Sequence, residues 1–356
     1  MFEEKAILIF VLLLMLSVSA AYASDENITD DIGIDGQNGN FTQLSNLIDN
    51  VSSNSTLSLD KDYKHESDSY YEGIEVNKSI SIDGNGHAIE GTNNARIFQF
   101  RDANVHLKNI RFVNAFSNQS GGAICAYNCT LQIINCTFSF NQASDAGGAI
   151  YASSAKLDIA DCTFLNNTCN GLYGDGGAVY AESSSRVNII GSKFHCNSAD
   201  SGGAVNSFTS NMTVENTEFA DNIANWYGGS LFSDSIMNVS SSTFRNNRAG
   251  LKGGAIHSTY NGFNDYCSLF LSNSIFTNNS AIYGGAISSS NSNIGIADAG
   301  RNTIVNSRFD FNRATYGGVI ARLSVSAIDM INSSCDNNSA INGTVIFAPA
   351  KGPITL

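Results

Sequence analysis

From about residue 96 onward, the apolar positions fall into short alternating triplets instead of helical stripes. Val105-His106-Leu107, Leu131-Gln132-Ile133, Leu157-Asp158-Ile159, Val187-Asn188-Ile189, Met212-Thr213-Val214, Met237-Asn238-Val239 and Leu269-Phe270-Leu271 each set one residue between two aliphatic ones. Alternation of this kind predicts a strand with one face buried. Five to seven residues after each triplet comes a Phe: Phe112, Phe138, Phe164, Phe194, Phe219, Phe244 and Phe276, with Phe309 and then Cys335 continuing the series. About nine residues past the Phe stands a Gly-Gly-Ala-Ile/Val step or a variant of it, beginning at Gly121, Gly147, Gly176, Gly202, Gly228, Gly253, Gly284 and Gly317. An aliphatic residue closes that step, so each unit predicts three short strands: one after the glycines, one at the triplet and one around the Phe.

The Phe recurs at intervals of 26, 26, 30, 25, 25, 32 and 33 residues. A period near 26 with insertions marks a stacked repeat array, not a pair of globular domains. There is no room for helices between strands, and coil-to-coil joins in one direction make parallel sheets. The expected fold is all-β: a right-handed parallel β-helix of about eleven coils, rising about 4.8 Å per coil to a length on the order of 50 Å. Proline occurs only at Pro349 and Pro353, so nothing interrupts the sheets before the last residues. At the start, Phe41, Leu44, Leu47, Ile48 and Val51 sit at helical spacing. That stripe predicts a short amphipathic helix suited to cover the open end of a stack. The expected organisation is a signal segment at 1–23, a linker at 24–40 and a capping helix at 41–51. First coils follow at 52–110, repeats at 111–346 and a tail at 347–356.

Stacked coils place equivalent residues above one another. Phe138, Phe164, Phe194, Phe219, Phe244, Phe276 and Phe309 therefore predict an aromatic ladder in the core. Asn141, Asn167, Asn197, Asn222, Asn247, Asn279 and Asn312, each three residues after its Phe, predict an amide ladder at a bend where backbone groups lack partners. The glycine pair permits a corner that a Cβ would block. If the aliphatic residue after the glycines points inward, the next points outward. Tyr151, Tyr180, Asn206, Phe232 and His257 then line one outer face, and Trp226, Tyr227, Tyr283 and Tyr316 form a second stripe along the corner before the glycines. Aromatic faces beside amides suit sugar rings or protein side chains. These nine are the candidate binding residues.

Charged residues make up 14% of the chain and the formal net charge is −13. With no basic stripe to neutralise phosphates, nucleic acid is excluded as a partner. Ala6 to Leu16 is an apolar run of 11 after Lys5, and Ala21-Tyr22-Ala23 offers a cleavage pattern. The expectation is an exported chain with no stable transmembrane segment once the signal is removed. Asn-x-Ser/Thr sequons recur, among them Asn54, Asn77, Asn135, Asn211, Asn238 and Asn332, as candidate glycan acceptors. Cys136 and Cys162 stand two residues before a Phe in neighbouring coils, consistent with a disulfide or with a ladder of free thiols. Neither the eight cysteines nor the five histidines show metal-ligand spacing, so no metal or cofactor is expected. The same scaffold houses polysaccharide lyases and glycosidases, which makes an enzyme the alternative reading. A glycosidase needs two carboxylates across one sugar. The residues after the glycine steps are Cys125, Tyr151, Tyr180, Asn206, Phe232, His257, Ser288 and Ala321, none of them acidic. Asp158 and Asp161 lie together in one coil, but the next coil offers Asn188 and Gly191.

Gly147-Gly148-Ala149-Ile150 with Phe138 to Asn141, and Gly253-Gly254-Ala255-Ile256 with Phe244 to Asn247, resemble the paired repeats of the chlamydial polymorphic membrane proteins. The run Gly73 to Ile89, followed by Arg96 to Phe100 and Val105 to Phe112, is similar to the adhesin-like β-helix proteins of methanogenic archaea. The resemblance covers about residues 41–346. It implies a secreted or surface-displayed, non-catalytic β-helix engaged in adhesion to glycans or surface proteins of other cells, or forming part of the envelope.

Overall fold

A computed structural model of the chain describes residues 38–66, 70–260, 268–291, 301–324, 326–349 and 352–356. The expected signal segment, most of the expected linker and Cys267 lie outside the described residues. Residues 36–356 form one unit, a right-handed parallel β-solenoid of about eleven coils.

One coil shows the plan. Thr137–Ser139 carries the Phe, Gln142–Ala143 follows the ladder Asn, Ile150–Ser153 leaves the glycine pair, and Lys156–Ala160 holds the aliphatic triplet. Each of these strands pairs in parallel with its equivalents in the coils before and after it. Among the described residues the four resulting sheets hold 12, 9, 11 and 12 strands, here called the Phe, corner, post-glycine and triplet sheets. The hydropathy pattern locates three of these strands. The fourth, in the corner sheet, runs two to five residues between the Asn and the glycines; in several coils it is two residues, too short for an alternation to recur from coil to coil.

The core is the stack itself. Phe112 through Phe309 are buried and lie ring over ring, with centroids 4.5–5.0 Å apart and planes within 15°. The triplet aliphatics Leu131, Ile133, Leu157, Ile159, Val187 and Ile189 are buried in the same core. Each buried ring of this size contributes roughly 1.5–3 kcal/mol.

The bend after the Phe sheet is held by the amide ladder. Asn222 accepts from the backbone N and the Nδ2 of Asn197, both at 3.0 Å. Its own Nδ2 donates to the Phe194 carbonyl at 2.8 Å and to Asn247 Oδ1 at 3.1 Å. The pattern repeats from Asn141 to Asn312 and ends on Asn338. At the opposite bend a second ladder runs through residues two before each Phe. The backbone N of Cys136 donates to Cys162 Sγ, that of Cys162 to Ser192 Oγ, and the series continues over Thr217, Ser242, Ser274, Ser307 and Ser333. Cys136 and Cys162 are therefore free thiols standing where the other coils have hydroxyls. The recurring Ser/Thr/Cys two residues before the Phe was the signal for this ladder.

The glycine corner explains itself at one coil. Gly147 has φ 63°, a left-handed value, and a Cβ on Gly148 would fall on the Gly177 carbonyl oxygen of the next coil.

Helix α1, Phe41–Asn50, lies at the start with Phe41, Leu44 and Ile48 buried in the core. Asn40 caps it: its side chain accepts from the Gln43 backbone, and Gln43 Oε1 accepts from the Asn40 backbone. Boundaries move at both ends. Gly39–Asn40, expected in the linker, forms a strand paired with Tyr63–Lys64. Ile354–Thr355, expected in the tail, pairs with Ile328-Asp329 and extends the triplet sheet, because Pro353 precedes this strand and places its carbonyl to accept from Ile328 N.

Candidate functional site

The nine candidate side chains fall on two adjacent columns, and the two have different environments. In the post-glycine sheet Tyr151 pairs in register with Tyr180, Tyr180 with Asn206, Asn206 with Phe232 and Phe232 with His257. All point away from the Phe core, as alternation requires. Yet Tyr151, Tyr180, Asn206 and His257 are buried, and Phe232 is half-buried. The exposed aromatic face expected from alternation is therefore corrected to a covered one. Alternation assigns a side chain to the outer side of its own sheet; it carries no information on what the neighbouring corner lays over it.

The cover has its own chemistry. The Tyr151 and Tyr180 rings stack 5.9 Å apart, and their hydroxyls donate to the two oxygens of Glu182 at 2.5 and 3.3 Å. Burial first, and then the hydrogen bond and charge of Glu182, push both phenols well above their ordinary range. Further along, the His257 ring lies 5.2 Å from Tyr227 and 5.6 Å from Phe232, with Nε2 at 3.3 Å from Ser290 Oγ. Burial, reinforced by the Lys252 charge, pushes its imidazole down to about 3, so it is neutral.

The corner column remains accessible. Trp226 is 51% exposed, and Tyr227, Tyr283 and Tyr316 are half-buried. Lys252 lies between two of the tyrosines, bridged to Tyr227 on one side and Tyr283 on the other, with Nζ 5.3 Å over the Tyr227 ring. Tyr283 and Tyr316 stack at 4.9 Å, and Phe347 follows at 4.9 Å. The result is a continuous ridge, Tyr227–Lys252–Tyr283–Tyr316–Phe347, flanked by Trp226. Lys252 belongs to it although the aromatic pattern alone did not select it; its place directly before a glycine pair was the available signal. Phe347 comes from the neighbouring post-glycine sheet, in register with Ala321, and joins the ridge through its ring contact with Tyr316.

The acids weighed as catalytic sit in different settings. Asp158 is paired with Lys156 at 2.8 Å, and its neighbours in the triplet sheet are Gln132 and Asn188. Asp161 occupies a turn with φ 53°. Among the described residues no group of three or more His, Cys, Asp or Glu is placed to hold a metal ion, and no helix is long and apolar enough to cross a membrane. No curated protein and no solved structure matches the chain. Four stretches do match a known repeat: residues 135–153, 161–182, 241–259 and 273–290 correspond to the Chlamydia polymorphic membrane protein (Chlamydia_PMP) repeat, so the chain is a parallel β-solenoid that carries this repeat in four of its coils.

Proposed function

We propose that this solenoid is displayed on a cell surface and acts, without catalysis, as an adhesin-like protein that touches glycans or surface proteins of other cells through its corner ridge. The observation that carries this reading is the ridge itself. A row of aromatic rings at a solvent-facing corner, with an exposed Trp beside it, exceeds what the fold needs for burial. Trp and Tyr supply large contact area at low entropic cost, which is why they dominate binding hot spots. The polymorphic membrane protein repeat supports the surface setting. So does the apolar run near the start of the chain, read as an export signal.

The test is a cell-attachment assay with purified protein carrying Trp226→Ala together with Tyr283→Ala. Attachment is expected to fall about tenfold or more, the effect of removing about 1.4 kcal/mol of contact, while circular dichroism still reports a folded β-solenoid. Attachment equal to wild type in a folded variant removes the ridge as the contact surface.

A further inference from the structure

The covered face of the post-glycine sheet is open at Cys125. Coil by coil, the side chain on its floor changes from Gln99 to Cys125, Tyr151 and Tyr180, each in register with the next. The two phenols fill the channel above their own coils and are tied down by Glu182. Cys125 is too short to do the same. Above it a cleft of about 290 Å³ remains, bordered by Gln99, Arg101 and Tyr127 on the strand side and by Gln119 and Asp145 on the corner side.

The cleft is held in shape from below. Arg96 is buried, and its guanidinium donates to the carbonyls of Glu72, Ser120 and Gly121, to Ser117 Oγ and to the Glu72 carboxylate. That fixes the corner bearing Gln119 relative to the strand below. On the other wall the Arg101 guanidinium lies 4.5 Å over the Tyr127 ring and donates to Gln99 Oε1 at 3.2 Å. Across the opening, the amide of Gln119 and the carboxylate of Asp145 make no hydrogen bond or ion pair to the described residues.

These walls select by charge. An anion entering the cleft meets Asp145 and a chain of net charge −13. A cation meets the Arg101 guanidinium. A hydroxyl donates to the carboxylate and accepts from the guanidinium, so a neutral polyol satisfies both walls at once. Guanidinium, carboxylate and amide are planar two-pronged groups, matched in span to the neighbouring hydroxyls of a sugar. The volume is just under the roughly 300–1,000 Å³ of sites for drug-sized ligands, which leaves space for one ring.

We propose that this cleft binds a single neutral sugar residue, held between Arg101 and Gln99 on one side and Gln119 and Asp145 on the other. The site is separate from the corner ridge and stands or falls apart from it.

The experiment uses the full chain and methyl glycosides of glucose, galactose, mannose and N-acetylglucosamine, with anionic glucuronate, cationic glucosamine and zwitterionic glycine as charge-bearing comparators. Binding is read by saturation-transfer NMR and titration calorimetry. At least one neutral glycoside is expected to saturate in the millimolar range, about −4 kcal/mol, and every comparator to bind more weakly. Asp145→Ala, at an exposed position, and Cys125→Tyr, which fills the cleft as Tyr151 fills the next coil, are each expected to weaken it about tenfold or more. Cys125→Ala, which leaves the cleft open, retains binding. Failure of all four neutral glycosides to saturate overturns the proposal. So does binding unchanged in both Asp145→Ala and Cys125→Tyr, or tighter binding of a charged comparator. The same variants are run in the cell-attachment assay. Sugar binding absent with attachment intact removes the cleft and leaves the ridge, and the converse removes the ridge alone.

Discussion

His257 illustrates how much a single position depends on what lies over it. It occupies the column of Tyr151, Tyr180 and Phe232, but sits between two aromatic rings with Lys252 nearby. Its folded pKa of about 3 lies below the ordinary 6.5, so between these values the unfolded chain binds a proton that the folded chain refuses. Stability from this group is complete above pH 6.5 and is lost as pH falls toward 3, at up to about 1.4 kcal/mol per pH unit. Asp175 acts in the opposite sense. Burial, reinforced by the Asp200 charge and opposed by the polar groups of Ser201 and Asn206, raises it to about 6, so ionisation destabilises the fold and acidification through 6 relieves that cost. The two are separated by mutation. His257→Phe is expected to match wild type within about 1 kcal/mol at pH 7.5 and to exceed it by a few kcal/mol at pH 4.5 in urea unfolding. A constant difference between the two proteins from pH 7.5 to 4.5 would mean that His257 is solvated, contrary to its burial. None of this was legible in the sequence, where His257 reads only as an outward residue after a glycine step. The Phe and Asn ladders were legible, because each residue's partner is its own equivalent one period away.

The elements divide along the same line. The triplet and Phe strands could be read directly, since one buried face imposes alternation on three to five residues. The corner strands could not, because Gln142–Ala143 or Thr168–Cys169 is too short to alternate. Helix α1 was legible from its spacing, but the five-residue stripe narrows on contact. Phe41, Leu44 and Ile48 enter the core, Val51 is half-buried and Leu47 is 40% exposed. The helix does for the first coil what each coil does for the next: it supplies apolar atoms over an otherwise open end. Leu44→Ala is expected to cost about 2–4 kcal/mol locally, read as lost amide protection in α1 and the strands at Leu57 and Tyr63. Protection unchanged there, with the helix still formed by circular dichroism, would mean that the first coils are closed without it.

A solenoid is close to one-dimensional, so the consequences of a mutation depend on where along the stack it falls. The two ends of the described coils differ. At the first coils α1 covers the core, whereas at the last described coils Ile341 and Leu356 are about 80% exposed and Cys335, Val345 and Ile346 are only partly buried. Every inner coil draws hydrogen bonds and ring contacts from both neighbours. The Asn338 coil follows the last Phe of the ladder, Phe309, with Cys335 in the ring's place. Fraying is therefore expected to begin at the Cys335 coil and proceed toward the centre, giving graded amide exchange from Ser339 back to Arg301 and the slowest exchange around Phe219. Phe219→Ala removes a ring stacked 5.0 Å from Phe194 and 4.9 Å from Phe244, and should cost about 3–5 kcal/mol. Phe309→Ala removes a ring with one aromatic neighbour, Phe276 at 4.9 Å, so it should cost less and speed exchange mainly in the coils beyond it. Two outcomes decide the matter. If Phe309→Ala lowers the global unfolding midpoint as much as Phe219→Ala, the stack melts as a single cooperative block and not coil by coil. If Phe219→Ala leaves that midpoint where it was, the Phe column is not what holds the coils together, and the weight passes to the amide and hydroxyl ladders at the bends.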